Sequence, residues 1–452
     1  MSEFTAPVLI IGGGAAGLVA ALSCLDAGVE PVLVERDPIP RGSTALSAGL
    51  IPAAGTRWQK ALGIADDAGL FARDVQKKAG GQADPVLVQA VTEHAAPTLE
   101  WLADRFGLDF SLVDDFDYPG HARRRMHGLP SRAGAELMDR LRAAAEAAGL
   151  TLLTEATATA LQSDADGRVT AARISRPDGS AEWVGCEALI LACSGYGGDP
   201  ALVAQHIPEL ADAVYFGHAG NRGDALRWGQ ALGAATQHLS GHQGHGSVAH
   251  PAGILVSWAV IMEGGFQVNR DGQRFWNEAQ GYSEAAQAVL AQPGGVAWNI
   301  FDARIAGIAR QFEDFRTAEA HGAILTAETL EELAARIGLP SLPPRATPDP
   351  FGRDWSGVAP LAAPFHAVRV TGALFHTQGG LVVDDQAQVL RPDGSALPNL
   401  FAAGGAACGV SGPEAQGYLS GNGLLTAVVL GRLAGATAAR KTLTPPEGGH
   451  SP

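Results

Sequence analysis

A glycine-rich segment near the N-terminus carries the clearest chemical signal in the sequence. The apolar run Val8 to Ile11 reads as a buried parallel strand, and Gly12-Gly13-Gly14-Ala15-Ala16-Gly17 follows it with the spacing G-x-G-x-x-G. Leucines then recur at helical spacing until Gly28. Gly12 permits a tight turn, Gly14 lets a pyrophosphate approach the backbone, and Gly17 lets the helix pack closely on the strand. Because helix N-termini attract phosphate, we expect a dinucleotide site here.

A carboxylate follows this fingerprint at the distance typical of nucleotide-binding folds. A second apolar strand, Val32 to Val34, ends at Glu35, where an acidic side chain would meet a ribose 2′-OH. The loop Arg41 to Leu50 consists largely of small residues and could lie against a flat group. This combination favours a nucleotide site over a purely structural role, because it joins a strand, the glycines, a helix, a second strand and a terminal Glu in the expected order.

The far end of the chain offers a second set of backbone donors. Leu397 to Phe401 reads as a last strand that runs into a turn at Gly404-Gly405. Gly421-Asn422-Gly423 then opens a long helix of small residues that ends near Arg440. The start of this helix could donate N–H groups to a flavin C2 carbonyl. Binding at both ends of the chain favours FAD over NAD.

Composition limits the class of partner. The 452 residues suit two or three domains, and Lys+Arg 32 against Asp+Glu 47 gives a net charge of −15, which argues against nucleic acid and anionic membranes. The N-terminus has no basic segment before an apolar stretch, and the central run Gly253 to Met262 is too short to cross a bilayer. We therefore expect no signal peptide and no membrane insertion.

The four cysteines lack the spacing of metal ligands or of a CxxC pair. We expect Cys24, Cys186, Cys193 and Cys408 to be buried apolar thiols, and a reducing, cytoplasmic location follows as the default.

Seven motifs in order resemble one family along nearly the whole chain. They are GGGAAG, GSTALSAG, ALILACSGYGG at 188–198, GHAGNRGD at 217–224, NRDGQRFWNE at 269–278, FHTQGGL at 375–381, and the AAGG turn with SGNGL. The chain resembles the flavoprotein subunits of succinate dehydrogenase and fumarate reductase, in the group that includes tricarballylate and 3-ketosteroid dehydrogenases.

The resemblance implies an α/β fold. A Rossmann-like FAD-binding domain of the glutathione reductase type would comprise residues 1–235 and 356–441, with an inserted α+β capping domain at 236–355 that closes over the flavin. A proline-rich stretch from Pro340 to Pro350, which includes Pro344, suits the return linker, and 442–452 suits a flexible tail.

The resemblance also bears on how FAD is held. Quinone-linked members attach their flavin to a His on the small-residue loop, where this chain has Ser43, so we expect non-covalent FAD. The family's AAGE turn reads AAGG here, and Gly405 offers only backbone. The predicted cofactor residues are Gly12, Gly14, Ala16, Gly17, Glu35, Arg36, Gly42, Ser43, Thr44, Ala48, Gly49, Ala156, Ala192, Asp224, Gly379, Gly404, Asn422 and Leu424.

Two tyrosines depart from the family pattern and decide the expected chemistry. Fumarate reductases use one Arg as proton donor and another as carboxylate clamp, where this chain has Tyr282 and Tyr418. Losing two guanidinium forks removes bidentate recognition of a C4-dicarboxylate. Upstream relay positions hold Trp258 and Ile261. The segment Tyr418 to Ser420 resembles 3-ketosteroid 4-dehydrogenases, in which Tyr and Ser serve carbonyl activation and proton abstraction.

We therefore expect hydride transfer between flavin N5 and a C–C bond alpha,beta to a carbonyl or carboxylate, either desaturation or ene reduction. Tyr282, Tyr418 and Ser420 would be the acid-base and polarising groups, and the family histidines His218 and His376 would hold substrate oxygens. Each could instead be a core or rim residue. A tricarballylate- or fumarate-type enzyme and a 3-ketosteroid 4-dehydrogenase remain alternatives. The substrate, direction, oligomeric state and separate electron acceptor or donor stay open.

Other clusters receive less specific interpretations. The histidines between His238 and His250 resemble a metal cluster, but their irregular spacing without carboxylate or Cys favours a cap loop and no metal site. Arg123 to Arg125 reads as a solvated turn, although an Arg there could bind a carboxylate. Phe275 and Trp276 are expected in the core. Flavin monooxygenases and disulfide reductases need motifs that are not found, and FAD as a structural filler is the non-enzymatic rival.

Overall fold

The computed structural model describes residues 4–114, 118–343 and 348–444. The chain forms two compact units. The first comprises Met1–Leu202, Gly217–His242 and His376–Pro452, and the second comprises Val203–Phe216 and Gln243–Phe375.

Twenty strands are assigned within the described residues. They are β1 Thr5–Ile11, β2 Pro31–Val34, β3 Ile51–Pro52, β4 Ser111–Leu112, β5 Met126–Gly128, β6 Thr151–Leu153, β7 Thr157–Ser163, β8 Val169–Ser175, β9 Ala181–Leu191, β10 Val214–Tyr215, β11 Thr236–Gln237, β12 His242–Ala249, β13 Ile254–Leu255, β14 Phe266–Val268, β15 Val296–Asp302, β16 Ile324–Ala327, β17 Phe365–Thr377, β18 Gly380–Leu381, β19 Gln388–Leu390 and β20 Ala396–Ala402.

Thirteen α-helices are assigned in the same described ranges. They are α1 Ala15–Asp26, α2 Arg57–Ala61, α3 Ala68–Lys78, α4 Pro85–Phe106, α5 Gly134–Ala147, α6 Pro200–His206, α7 Asp224–Ala231, α8 Ala259–Met262, α9 Tyr282–Leu290, α10 Ala303–Ala309, α11 Glu313–Ala320, α12 Leu330–Ile337 and α13 Asn422–Leu443.

The first unit is built on an eight-stranded sheet. Its central order is β19-β20-β9-β1-β2-β6, and β20, β9, β1, β2 and β6 run parallel to one another. Antiparallel β7 and β8 join it beside β9. The last four residues of β1 are all buried, as expected for a parallel strand covered on both faces. The carboxyl ends of β1, β2 and β9 therefore meet at one edge of the sheet.

Two helices of small residues pack closely beside this sheet. A Cβ added at Gly431 would lie 2.5 Å from the Ala16 carbonyl oxygen, and one at Gly435 would lie 2.3 Å from that of Ala20. Glycine at these positions thus allows α13 to approach α1. By length and composition α13 could cross a membrane, but 78% of its most apolar window is buried inside the structure, as in a core helix.

The second unit holds a mixed sheet of seven strands, ordered β13-β12-β17-β15-β14, with β10 and β16 also paired to β17. The long strand β17 pairs antiparallel with β15 and β16 and parallel with β10. Its buried apolar residues, Val368 and Val370, pack with Val260, Phe301 and Phe315. The fold is thus the α/β class, in which a Rossmann-like sheet carries the N-terminal fingerprint.

Several element predictions are confirmed. The first helix ends at Asp26, and Gly28 has the left-handed φ of +80° that stops it. The predicted second strand, last strand and long C-terminal helix are present as β2, β20 and α13. Three cysteines are buried free thiols, whereas Cys193 is half-buried, so the expectation of four buried thiols was wrong there.

One loop prediction is wrong, and the domain boundaries stay a prediction. Residues His242–Ala249 form the buried strand β12 and not a cap loop, because this segment pairs with β13 and β17 in the sheet of the second unit. The two units divide the chain at 202, 216, 242 and 375, whereas the predicted capping domain spans 236–355. Pro344 of the predicted linker, residues 1–3 and the tail beyond 444 lie outside the described residues.

Candidate active site and cofactor pocket

A pocket lies in the first unit where β1 runs into α1. Gly12 has φ +106°, and a Cβ there would lie 2.5 Å from the Ala192 carbonyl oxygen. A Cβ at Gly17 would lie 1.9 Å from the Gly12 carbonyl oxygen. Both positions therefore require glycine, one for its backbone conformation and both for close approach.

The middle glycine of the fingerprint faces space. A Cβ at Gly14 would have one neighbouring atom within 4 Å, the Thr44 hydroxyl oxygen at 3.8 Å. Gly14 is the N-cap of α1 and supplies no side-chain cap, while the Ala15 amide donates to Thr44 Oγ1 at 3.3 Å. No acidic residue stands in the first turn of α1. This helix start is therefore open to an anionic group, as a pyrophosphate site requires.

Glu35 ends the second strand beside this turn. Its side chain is 7% exposed and accepts hydrogen bonds from the amides of Gly13, at 2.7 Å, and Asp37, at 2.9 Å. The carboxylate thus ties the end of β2 to the fingerprint loop. It also lines the pocket, at the place where a ribose hydroxyl is expected.

His218 lies on the same side of the pocket. Its Nδ1 accepts from the Gly220 amide at 3.1 Å, so Nε2 carries the proton and donates to Asp37 Oδ2 at 2.8 Å. The hydroxyl of Ser43 accepts from the His218 amide at 2.9 Å and from the Asn221 side chain at 2.8 Å. His218, predicted to hold substrate, is therefore placed among the residues that line the nucleotide pocket.

Most predicted cofactor residues line this pocket. These are Gly12, Gly14, Ala16, Glu35, Arg36, Gly42, Ser43, Thr44, Ala156, Ala192, Asp224 and Gly404. Gly17, Ala48, Gly49, Gly379, Asn422 and Leu424 are not among the lining residues. Reasoning from the sequence missed Asp37, Cys193, Ser194 and Trp228, which also line it.

The donor set fits FAD. The open turn at Gly14, the uncapped start of α1 and the carboxylate of Glu35 match what a dinucleotide presents: phosphates and a ribose. Two further polar atoms, Thr377 Oγ1 and Asn422 Oδ1, are buried without a hydrogen-bond partner among the described residues. Both belong to the first unit, and a buried polar atom of this kind needs a partner that the chain itself does not supply.

Tyr418 and His376 stand together in the first unit. Their rings are 5.5 Å apart and nearly perpendicular, and the Tyr418 hydroxyl accepts from the Gly423 amide at 3.4 Å. Burial raises the pKa of Tyr418 to about 12. Burial also lowers the pKa of His376 to about 4. Near neutral pH both groups are therefore uncharged, and each can donate a hydrogen bond.

Ser420 lies two residues after Tyr418, just before α13. It is 4% exposed, and its carbonyl oxygen bonds to His121 Nε2 at 2.9 Å. Burial lowers the pKa of His121 to about 4, and its Nδ1 has no hydrogen-bond partner within the described ranges. The structure thus brings Tyr418, Ser420 and His376 into one unit and adds His121, which the sequence did not single out.

Tyr282 belongs to the second unit, where it begins α9. Its ring stacks on His245 at 5.0 Å, and His245 stacks in turn on Phe375 at 5.2 Å and meets Trp258 edge to face. Burial lowers the pKa of His245 to about 3. His245 entered the sequence reasoning as a candidate metal ligand. No periodic pattern in the sequence marks it, because all eight residues of β12 are buried and polar and apolar side chains do not alternate along the strand.

The expectation for the arginine run was wrong at Arg125. Its side chain is fully buried, and it pairs with Asp66 through Nε, at 2.7 Å, and Nη2, at 2.9 Å, and with Asp74 through Nη1. The guanidinium also lies over the Phe71 ring, 4.8 Å from its centroid. A charge that looks solvated in sequence is thus neutralised by two carboxylates, Asp74 of α3 and Asp66 of the segment between α2 and α3.

The structure bears on the aromatic pair of the sequence, whereas the absence of a metal site stays a prediction. Trp276 is buried with Trp258 and Ile261, which confirms it as a core residue, and Phe275 is partly buried and packs against the same cluster. A search of the described residues finds no group of three metal-ligating side chains close enough to hold an ion.

Comparisons with known proteins agree with this pocket. A family model described as FAD binding domain matches residues 7–424. The chain is 30% identical to a probable fumarate reductase, Ifc3, of Shewanella frigidimarina (strain NCIMB 400), over 97% of this chain and 76% of the relative. It is 26% identical to 4-oxocyclohexanecarboxylate 2-dehydrogenase of Sinomonas cyclohexanicum, over 96% of this chain and 93% of the relative. The open conformation of a flavocytochrome c3 fumarate reductase matches with TM-score 0.82 and 29% identity, over 98% of this chain and 79% of that one.

The protein is therefore an FAD-dependent oxidoreductase that acts on CH–CH groups. It belongs to the FAD binding domain family, within the succinate dehydrogenase and fumarate reductase flavoproteins.

Proposed function

We propose that the protein transfers a hydride between FAD and a C–C bond next to a carbonyl group, with a ketone-bearing substrate favoured over a plain dicarboxylate. The observation that carries this proposal is the buried, neutral pair of Tyr418 and His376. Neutral O–H and N–H donors suit the single oxygen of a carbonyl, which gains negative charge during the reaction.

The charges of the same region support this choice. A dicarboxylate needs cationic forks, and the buried guanidinium of Arg125 is already held by Asp66 and Asp74. By the family resemblance, Tyr282 and Tyr418 stand where fumarate reductases have arginines. A carboxylate on a substrate that also carries a ketone stays compatible, since one relative acts on 4-oxocyclohexanecarboxylate by its name.

The roles of the side chains follow from their protonation. Bound FAD supplies a two-electron acceptor or donor, so the protein must also take or give one proton. Tyr418, with its pKa raised to about 12, serves as a donor that polarises the carbonyl and not as a base. The Nε2–H of His376 is a second such donor. Tyr282 and Ser420 are our candidates for the acid-base group that transfers this proton. The reaction can run in either direction, as desaturation of the C–C bond or as its reduction.

We also propose that FAD is held without a covalent bond. Ser43 offers no imidazole, and its hydroxyl accepts from both His218 and Asn221. Acid precipitation of the purified protein should leave all of the yellow flavin in the supernatant. Flavin that stays with the precipitated protein after repeated washing with acid contradicts non-covalent binding and leaves the rest of the proposal unaffected.

The decisive experiment is anaerobic mixing of the FAD-loaded protein with paired saturated and unsaturated compounds. Cyclic ketones should bleach the flavin, or the matching enones should reoxidise the reduced flavin, at least about tenfold faster than succinate or fumarate do. Faster turnover of fumarate or tricarballylate favours the carboxylate-type alternative. No response to any carbonyl or carboxylate compound favours FAD as a structural filler.

Substitution of the polarising tyrosine tests the carrying observation. Tyr418→Phe should lower kcat by about 10²- to 10³-fold while FAD content stays unchanged, because one donor to the developing charge is removed. Tyr215→Phe, on β10 of the second unit, is the matched control and should keep turnover within about twofold. Equal kcat for both variants removes Tyr418 from the mechanism.

Partner and location complete the proposal. A separate electron acceptor or donor closes the cycle, and a cytoplasmic location is consistent with four free cysteines. Fractionation of the native source with an antibody against the chain tests the location.

A further inference from the structure

A line of buried amide and hydroxyl groups leads from the start of α13 to His376. The Asn422 side-chain amide donates to Ser411 Oγ at 3.1 Å, Ser411 donates to Gln378 Oε1 at 2.7 Å, and Gln378 Nε2 meets His376 Nδ1 at 2.9 Å. The first three residues are all at most 5% exposed. All four belong to the first unit, so the line lies within one compact body.

We propose that Gln378, Ser411 and Asn422 are positioning residues that fix His376 in its Nε2–H tautomer, aimed as a donor at the substrate oxygen. This inference rests on the proposed function, because it assigns how one of its donors is oriented.

The direction of the line follows from donor and acceptor capacity. Ser411 has one proton, and its oxygen already accepts from Asn422, so that proton goes to the Gln378 oxygen. With its oxygen engaged, the Gln378 amide presents N–H to the imidazole. His376 Nδ1 must then be the acceptor, which leaves the ring proton on Nε2.

The other tautomer has a poorer set of partners. A proton on Nδ1 could go to the Thr377 carbonyl oxygen, at 3.4 Å. It would face the N–H of Gln378, or the amide would have to turn and break the bond from Ser411. Since burying a donor without a good acceptor is costly, the Nε2–H form is favoured.

The opposite nitrogen is kept open by a glycine. A Cβ at Gly423 would lie 2.6 Å from His376 Nε2, so a side chain there would occupy the space in front of the donor. The same residue donates its amide to Tyr418. Gly423 thus lies beside both polarising groups, at the second residue of α13.

Histidine tautomers can be read directly. We would label histidine with ¹⁵N in the FAD-loaded protein and identify the His376 signals by their loss in His376→Gln. The wild-type protein should show a protonated Nε2 and an unprotonated Nδ1 between pH 6 and 8. A protonated Nδ1 overturns the proposal. This readout needs no substrate, so it is independent of whether the proposed function is correct.

Two substitutions at Gln378 separate orientation from packing. Gln378→Met removes the donor to Nδ1 and should shift the tautomer signals and lower kcat about tenfold or more, with a smaller change in KM. Gln378→Glu presents an acceptor, so the proton should move to Nδ1. The carboxylate should also raise the His376 pKa, which gives a new ionisation in the kcat profile between about pH 5 and 8. Of the residues that the structure describes, His242 and Tyr418 are the titratable groups beside His376, and neither substitution alters them.

A buried glutamine elsewhere in the unit serves as the matched control. Gln388 is 7% exposed, donates to the Leu397 carbonyl oxygen and accepts from Lys441. Gln388→Met should leave the His376 signals and the pH profile as in wild type. If Gln378→Met also leaves the tautomer unchanged, the line does not position His376. If the tautomer shifts but kcat does not, the line does position His376, and the role of His376 in the proposed function is wrong.

Discussion

Removing the buried guanidinium of Arg125 is the sharpest test of the first unit's construction. Arg125 and Asp66 are fully buried at their side chains, and Asp74 is 11% exposed. Arg125→Met would therefore leave two carboxylates in a poorly solvated site, where breaking a buried pair costs about 3–5 kcal/mol. With an m-value of about 3 kcal/mol/M in urea, the unfolding midpoint should fall by about 1–1.7 M.

Arg125→Met should also affect the candidate active site. Asp74 accepts from the Ala122 amide at 2.8 Å, and the neighbouring His121 bonds to the carbonyl oxygen of Ser420. Loosening this segment should lower kcat as well as stability. Urea unfolding followed by circular dichroism, and turnover on the substrate found in the anaerobic panel, measure the two effects.

Two variants decide whether charge burial is the cause. Arg123→Met removes an exposed guanidinium that bonds to backbone carbonyls, and it should change stability by about 0.5 kcal/mol or less. Adding Asp66→Asn and Asp74→Asn to Arg125→Met should recover much of the loss, because the unpaired charges are gone. A single variant as stable as Arg123→Met would refute the reasoning.

Gly17→Ala should lower FAD affinity at least about tenfold, measured by flavin titration, because its Cβ would lie 1.9 Å from the Gly12 carbonyl oxygen. Gly307→Ala, whose Cβ would have no neighbour within 4 Å, is the control, and equal affinity in both contradicts the packing argument. Burial alone would raise the pKa of Asp349, but hydrogen bonds, of which that from Arg274 is the largest, lower it to about 2. The ionised carboxylate therefore stabilises the folded protein fully above about pH 4, and this stabilisation is lost as the pH falls through about 2. Asp349→Asn should therefore unfold about 2 kcal/mol more easily at pH 7, and a difference from wild type that stays constant down to pH 2 would be inconsistent with this linkage.

Local patterns were enough to predict the cofactor end of the fold. The fingerprint Gly12 to Gly17, the carboxylate of Glu35 and the turn at Gly404 each depend on neighbours within one strand–turn–helix unit. Geometry of this kind can be predicted from sequence because the residues that form it are close together in the chain. The apolar runs likewise predicted the strands β1, β2 and β20, and the long run of small residues predicted the helix α13.

The candidate site was only partly accessible from sequence. Arg125 was misread because its two carboxylates come from 59 and 51 positions away, and no local pattern marks such a pair. His218 was assigned to substrate by resemblance, yet its partner is Asp37 in the pocket wall. His245 was hidden in a glycine-rich run that looked like a loop until β12 paired in its sheet.

The sequence by itself determined that this chain carries an FAD-binding fingerprint at a Rossmann-like edge, and its family resemblance predicts that tyrosines stand where fumarate reductases have arginines. Those statements depend on residue identity and short spacing. Only the tertiary structure decided that Tyr418 and His376 are both neutral and adjacent, and that a line through Gln378 and Ser411 ends on one ring nitrogen. Protonation and tautomer follow from burial and from partners distant in the chain, which exist only once the strands and α13 have packed together.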